Sequence, residues 1–225
     1  MGKNRKNNQN NTPQEYTSQS GTILPTDGHT QEWMQTLNEK IRTWLEYGGK
    51  TLQELTKEEK QYIQNHMQST INDPLVENEQ LTRVEKGDYF KKLLENGLKV
   101  GDKLETGMDL LSFTGRRGHS QAFARPRKGT VVIYRTNGDV KHYPTDKFTT
   151  LYDEGESLVN PQSLKVDKIQ HMKLEDYDSR GDYTVAVREE LGYPATEEDL
   201  YFMKKGVEGE FYQSDDVYFV DVSEA

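Results

Sequence analysis

Two carboxylates stand two residues apart in the run Tyr152-Asp153-Glu154-Gly155-Glu156-Ser157-Leu158-Val159. In extended backbone successive side chains alternate between faces, so Glu154 and Glu156 project together while Asp153 turns away. At about 3.3 Å of rise per residue their carboxylates lie roughly 6 to 7 Å apart, which leaves room for a sugar carbon between them. Such a doublet can stabilise developing positive charge and move a proton. Taken alone, the stretch reads more plainly as an acidic turn solvated ahead of a strand.

Other chemistries are narrowed by composition. The chain has no cysteine, which removes disulfides, thiolate nucleophiles and cysteine zinc sites. His29, His66, His119, His142 and His171 show no short ligand spacing, so no metal site is expected. A net charge of -9 over 225 residues disfavours broad contact with nucleic acid or an anionic membrane. One basic cluster stands against that field: Arg116, Arg117 and His119, with Arg125, Arg127 and Lys128. It suits either a small anionic ligand or a solvated face.

The elements that must position these residues follow from periodicity. With 32% hydrophobic and 30% charged residues and a mean hydropathy of -0.98, the core is compact and much of the length is surface. Residues 1–28 are rich in Asn, Gln, Thr and Ser, and a disordered tail is expected there. Trp33, Met34, Leu37, Ile41, Trp44 and Leu45 recur at helical spacing over 31–47, ahead of Gly48-Gly49. Thr56 with Glu59 forms a capping-box pattern opening a second helix, with Asp73-Pro74 as its breaker. An extended piece, Gln80-Leu81-Thr82-Arg83-Val84, precedes a helix over 88–96 that buries Tyr89, Phe90, Leu93 and Leu94 and ends at Gly97. Strands are expected over 108–113, 130–136 and 164–169, and a short helix over 119–124. Asn137-Gly138 signals a tight turn after the second of these strands. Beyond Met172 come two helical stretches near 184–191 and 197–205 and a strand near 217–222.

Three features in order resemble the mono-ADP-ribosyltransferases of the arginine-serine-glutamate class, found among bacterial toxins and phage-associated enzymes. Gln80-Leu81-Thr82-Arg83 resembles the strand ending on an arginine. Gly101-Asp102, Leu111-Ser112-Phe113-Thr114 and Ser120-Gln121-Ala122-Phe123-Ala124 resemble the glycine turn, the serine motif and the helix after it. Glu154-Gly155-Glu156, followed by Leu164-Lys165-Val166, is similar to the glutamate-x-glutamate strand and its partner. Two departures stand out: Val84 follows the arginine where glycine is common, and Phe113 occupies the central threonine position of the serine motif.

The resemblance implies an α+β fold in which two small packed β-sheets form an NAD cleft, with helices N-terminal to them. It implies a catalytic domain over 29–172, helical in 31–72 and with its core in 75–170, followed by an acidic C-terminal extension over 173–225. NAD is the implied substrate. Arg83 would grip its phosphate or ribose, where the alternative is a strand-end ion pair with Glu79 or Glu85. Ser112 would orient the catalytic carboxylate, with Thr114 beside it, and Phe123 would line the nicotinamide pocket. Glu156 would hold the ribose hydroxyl and stabilise the oxocarbenium-like transition state, while Glu154 would position and deprotonate the acceptor. A glutamate at position 154 is associated in the family with arginine as acceptor, so a host protein arginine is the implied partner. Tyr143, Phe148 and Tyr152 precede the doublet, where the family recognises its target, and Tyr152 is taken as the acceptor contact. With no export signal and no membrane segment, the expected location is cytoplasmic, carried in a virion or delivered into a host cell. A non-catalytic virion component of the same fold and an NAD glycohydrolase remain as alternatives.

Overall fold

A computed structural model describes residues 14–47, 52–145, 148 and 155–225. They divide into two compact units, residues 14–47 and 52–55 with 148, and residues 56–145 with 155–225. Glu154 and Tyr152 of the expected site lie outside the described residues.

The first unit opens with a hairpin, β1 (Glu15–Thr17) and β2 (Ile23–Pro25), where a disordered tail was expected over 1–28. Tyr16 and Leu24 face each other across it, 7% and 3% exposed, so a stretch poor in apolar residues still buries one cross-strand pair. Helix α1 (Gln31–Tyr47) has the expected bounds and buries Met34, Leu37 and Ile41 along one stripe.

In the second unit, α2 (Lys57–Asn65) opens with the reciprocal capping box between Thr56 and Glu59. It stops at Asn65, ahead of Asp73-Pro74, which leaves Asp73 available for another contact. Then follow β3 (Gln68–Ser69), β4 (Thr82–Lys86), α3 (Asp88–Glu95), β5 (Leu111–Thr114), α4 (Arg117–Ala124), β6 (Gly129–Thr136), β7 (Lys141–Pro144), β8 (Glu156–Val159), β9 (Leu164–Lys173), α5 (Arg180–Glu190), α6 (Glu197–Lys204) and β10 (Ser214–Glu224). Helix α3 buries Phe90 and partly buries Leu93 and Leu94, but Tyr89 is 44% exposed; it stands one residue before Phe90, about 100° round the helix.

The strands hydrogen-bond in the order β3-β7-β8-β5-β4-β6-β10-β9. This α+β arrangement contains the two small sheets as two halves, because β5 and β4 meet through one residue pair, Thr114 with Thr82. Leu111, Phe113 and Val159 from one half share a core with Val132, Tyr134, Val220, Val222, Leu164 and Val166 from the other. The opposite face of β6 and β10 carries Val131, Ile133, Val217 and Phe219, covered by Ala124 of α4, by Tyr183 and Val187 of α5 and by Leu191 just after it. Strand β6 is apolar on both faces for that reason.

Residues 173–225, expected as an extension, are integral to this sheet. Strand β10 lies between β6 and β9, parallel to the first and antiparallel to the second. Its alternating buried residues supply both cores.

Candidate functional site

Arg83 from one half of the sheet and Glu156 from the other both contact Ser112, the first at its main-chain carbonyl and the second at its hydroxyl. Along β4, Thr82 is buried and hydrogen-bonds Ser120 of α4, while Val84 packs on the α5 side. Arg83 and Glu85 therefore share the face turned toward the other half. Along β5, Leu111 and Phe113 enter the core, and Ser112 and Thr114 are left on the other face. Phe113 is thus a core residue, and the hydroxyls of Ser112 and Thr114 flank it on the outer side.

Strands β5 and β8 pair antiparallel, Thr114 opposite Glu156 and Ser112 opposite Leu158. That register makes Ser112 and Glu156 diagonal neighbours on one face. The Ser112 hydroxyl donates to Glu156 Oε1. Arg83 Nη1 donates to the Ser112 main-chain carbonyl at 2.8 Å. On its other edge, Arg83 Nε and Nη2 lie 3.1 and 3.0 Å from Glu85 Oε2. The ion pair and the site contact therefore coexist in one guanidinium, with both side chains about a quarter exposed (25% and 23%). Tyr134 sits opposite Arg83 on β6. Burial first, and the Glu85 carboxylate second, push its phenol far above the ordinary range, so it stays neutral beside the ion pair.

The backbone that delivers Glu156 is tightly fixed. The Gly115 amide donates to the Gly155 carbonyl at 2.7 Å, and the Glu77 amide donates to the Gly115 carbonyl at 2.8 Å. A Cβ on Gly115 would stand 2.3 Å from the Leu75 carbonyl oxygen and 2.8 Å from Val76 Cα. A Cβ on Gly155, which has φ +56°, would stand 2.6 Å from the same Leu75 oxygen. Three backbones thus cross at a distance that only glycine allows. Thr145 Oγ1 adds a bond to the Glu156 carbonyl at 2.8 Å.

The other expected positions differ in burial. Phe123 is 48% exposed on α4, outside the core. Tyr143 and Phe148 are fully buried packing residues. Three members of the basic cluster have partners within the protein: Arg125 pairs with Glu210 at 3.1 Å, Arg117 Nη1 bonds the Gly192 carbonyl at 3.0 Å, and Arg116 faces Glu77 at 3.9 Å. Two features escaped the sequence reading. The glycine crossing had a signal, a glycine beside each of two site motifs; the support of Thr145 for Glu156 had none.

Chemically, the arrangement offers a guanidinium able to grip a phosphate and, on the far side of Ser112, a carboxylate able to face a cationic sugar. No family model matches the sequence, and no curated protein matches it. Among solved structures, the chain is similar to the catalytic domain of VahC from Aeromonas hydrophila, at 13% identity over 83% of this chain and 97% of that one, with a TM-score of 0.40. It is similar to an ADP-ribosyltransferase from Clostridium botulinum, at 11% identity over 85% and 80% of the two chains, with a TM-score of 0.37. It is also similar to an ADP-ribosyltransferase toxin from Paenibacillus larvae, at 13% identity over 86% and 90%, with a TM-score of 0.36. Among the described residues, no helix is long and apolar enough to cross a membrane.

Proposed function

We propose that this chain transfers ADP-ribose from NAD to an arginine side chain of a protein acceptor, releasing nicotinamide. The observation that carries the reading is the convergence of Arg83, Ser112 and Glu156, brought from both halves of the sheet by hydrogen bonds through Ser112. In this reading Arg83 grips the diphosphate of NAD, a role a planar fork of donors fills and an ammonium does not. Glu156, held by the Ser112 hydroxyl, accepts from a hydroxyl of the nicotinamide ribose. The bond between ribose C1′ and the nicotinamide nitrogen breaks, its electron pair neutralises the pyridinium, and Glu156 stabilises the positive charge left on the sugar. A guanidinium nitrogen of the acceptor attacks C1′ and gives up a proton. The position of Glu154, two residues ahead of Glu156, supports it as the recipient of that proton and supports arginine as the acceptor.

The test is incubation of the protein with NAD and a cell lysate, followed by mass spectrometry for ADP-ribosylated arginine. Glu156→Gln keeps the shape and removes the charge, and should abolish transfer; full transfer by that variant would overturn the mechanism. Glu154→Gln should spare NAD hydrolysis more than arginine transfer. Consumption of NAD without modified protein would assign water as acceptor.

A further inference from the structure

Behind β8, on the face opposite Glu156, a second set of polar side chains is buried. Ser157 Oγ and His142 Nδ1 lie 2.8 Å apart. His142 Nε2 faces Asp73 Oδ2 at 3.0 Å. Asp73 Oδ1 accepts from the Leu75 amide at 2.9 Å. Serine, histidine and aspartate in this order are the groups of a nucleophilic triad, but Ser157 is 1% exposed and His142 fully buried, so no substrate reaches the hydroxyl. A buried polar chain of this kind is costly to assemble unless its members satisfy one another, and it specifies a single packing when they do. Burial opposes ionisation of Asp73, but the neighbouring His142 ring, within ion-pair distance though out of line for a hydrogen bond, and the Leu75 amide outweigh it and hold the carboxyl below its usual range.

Both ends of the chain touch the backbone that carries Glu156. Ser157 follows Glu156 directly and stands opposite Phe113 on β5 and Pro144 on β7. Leu75, whose amide Asp73 anchors, sets its carbonyl against Gly115 and Gly155, immediately before Glu156. We propose that Asp73 and His142 are positioning residues for Glu156: by holding Ser157 on one side and Leu75 on the other, they fix the main chain that aims the carboxylate at Ser112. The kinetic form of this inference rests on the proposed NAD chemistry, whereas its structural form does not.

The test uses Ser157→Ala, which removes one hydroxyl from the chain, together with His142→Leu and His142→Gln. If the parent protein cleaves NAD, Ser157→Ala and His142→Leu should lower kcat about tenfold and leave KM for NAD within about twofold, per folded molecule. His142→Gln, which can still donate and accept, should recover part of the loss. Unchanged kcat in Ser157→Ala, or a loss that only tracks the unfolded fraction, overturns the proposal. If the parent does not cleave NAD, the functional reading fails by itself, and amide hydrogen exchange decides the positioning role. Glu156–Val159 should then exchange about tenfold faster in Ser157→Ala while Gly129–Thr136 is unaltered; unaltered exchange in both strands refutes it.

Discussion

Arg83 donates to the main-chain carbonyl of Ser112 at 2.8 Å while a single oxygen of Glu85 takes two of its other nitrogens. One guanidinium is thus oriented from two directions, by the neighbouring half of the sheet and by its own strand. This double hold separates what a lysine could replace, a charge, from what it could not, a planar fork. If NAD binds as proposed, Arg83→Lys should raise its KM about tenfold or more, because a lysine could not serve the phosphate and the Ser112 carbonyl together. Steady-state kinetics of NAD consumption check this; an unchanged KM would remove Arg83 from the phosphate site.

Glu85 puts a negative charge where the diphosphate of NAD is proposed to arrive. Glu85→Gln should therefore lower KM for NAD about fivefold at low salt, roughly 1 kcal/mol for a partly exposed charge, with the gain shrinking as salt is added. A rise in KM would show instead that the ion pair is needed to orient Arg83.

The crossing of backbones at Gly115 makes a stability prediction. With a Cβ 2.3 Å from the Leu75 oxygen and 2.8 Å from Val76 Cα, the main chain has to move in Gly115→Ala. The expected cost is about 1–3 kcal/mol, the range for an overpacked interior site, read as a lower midpoint in urea. A midpoint equal to the parent's would mean that the crossing relaxes freely.

Acid should unfasten the start of α6. Burial would lift the Asp199 carboxyl, but the Arg188 guanidinium at 2.7 Å and the hydroxyl and amide of Thr196 outweigh it and hold the pKa at about 2, below the ordinary 3.8. A depressed carboxylate contributes stability above its unfolded value and loses it as pH falls toward the folded one. The contribution should fade between pH 3.8 and about 2, and Asp199→Asn should flatten that part of the stability curve. Urea midpoints measured through this window give the comparison; parallel curves for parent and variant would contradict it.

Much of the secondary structure was open to a reading of residue order. The stripe of Met34, Leu37 and Ile41 and the Thr56–Glu59 box are local patterns, and α1 and α2 begin where those patterns place them. Alternation in Leu111-Ser112-Phe113-Thr114 likewise assigns each side chain to a face before any partner is known. Such features depend on neighbours a few positions away, whose geometry is set by the helix or strand itself.

Partners far along the chain carry no comparable mark. Strand β10 had the composition of a strand, but nothing in it specified insertion between β6 and β9, because a backbone ladder accepts any neighbour of suitable burial. The burial of His142 between Ser157 and Asp73, and the stop of α2 at Asn65 that frees Asp73 for it, depend on segments brought together only by folding. Residue types and their order nominate Arg83, Ser112 and Glu156 as candidates. Their linkage through Ser112 belongs to the tertiary structure, where the halves of the sheet also meet through the Thr82–Thr114 pair.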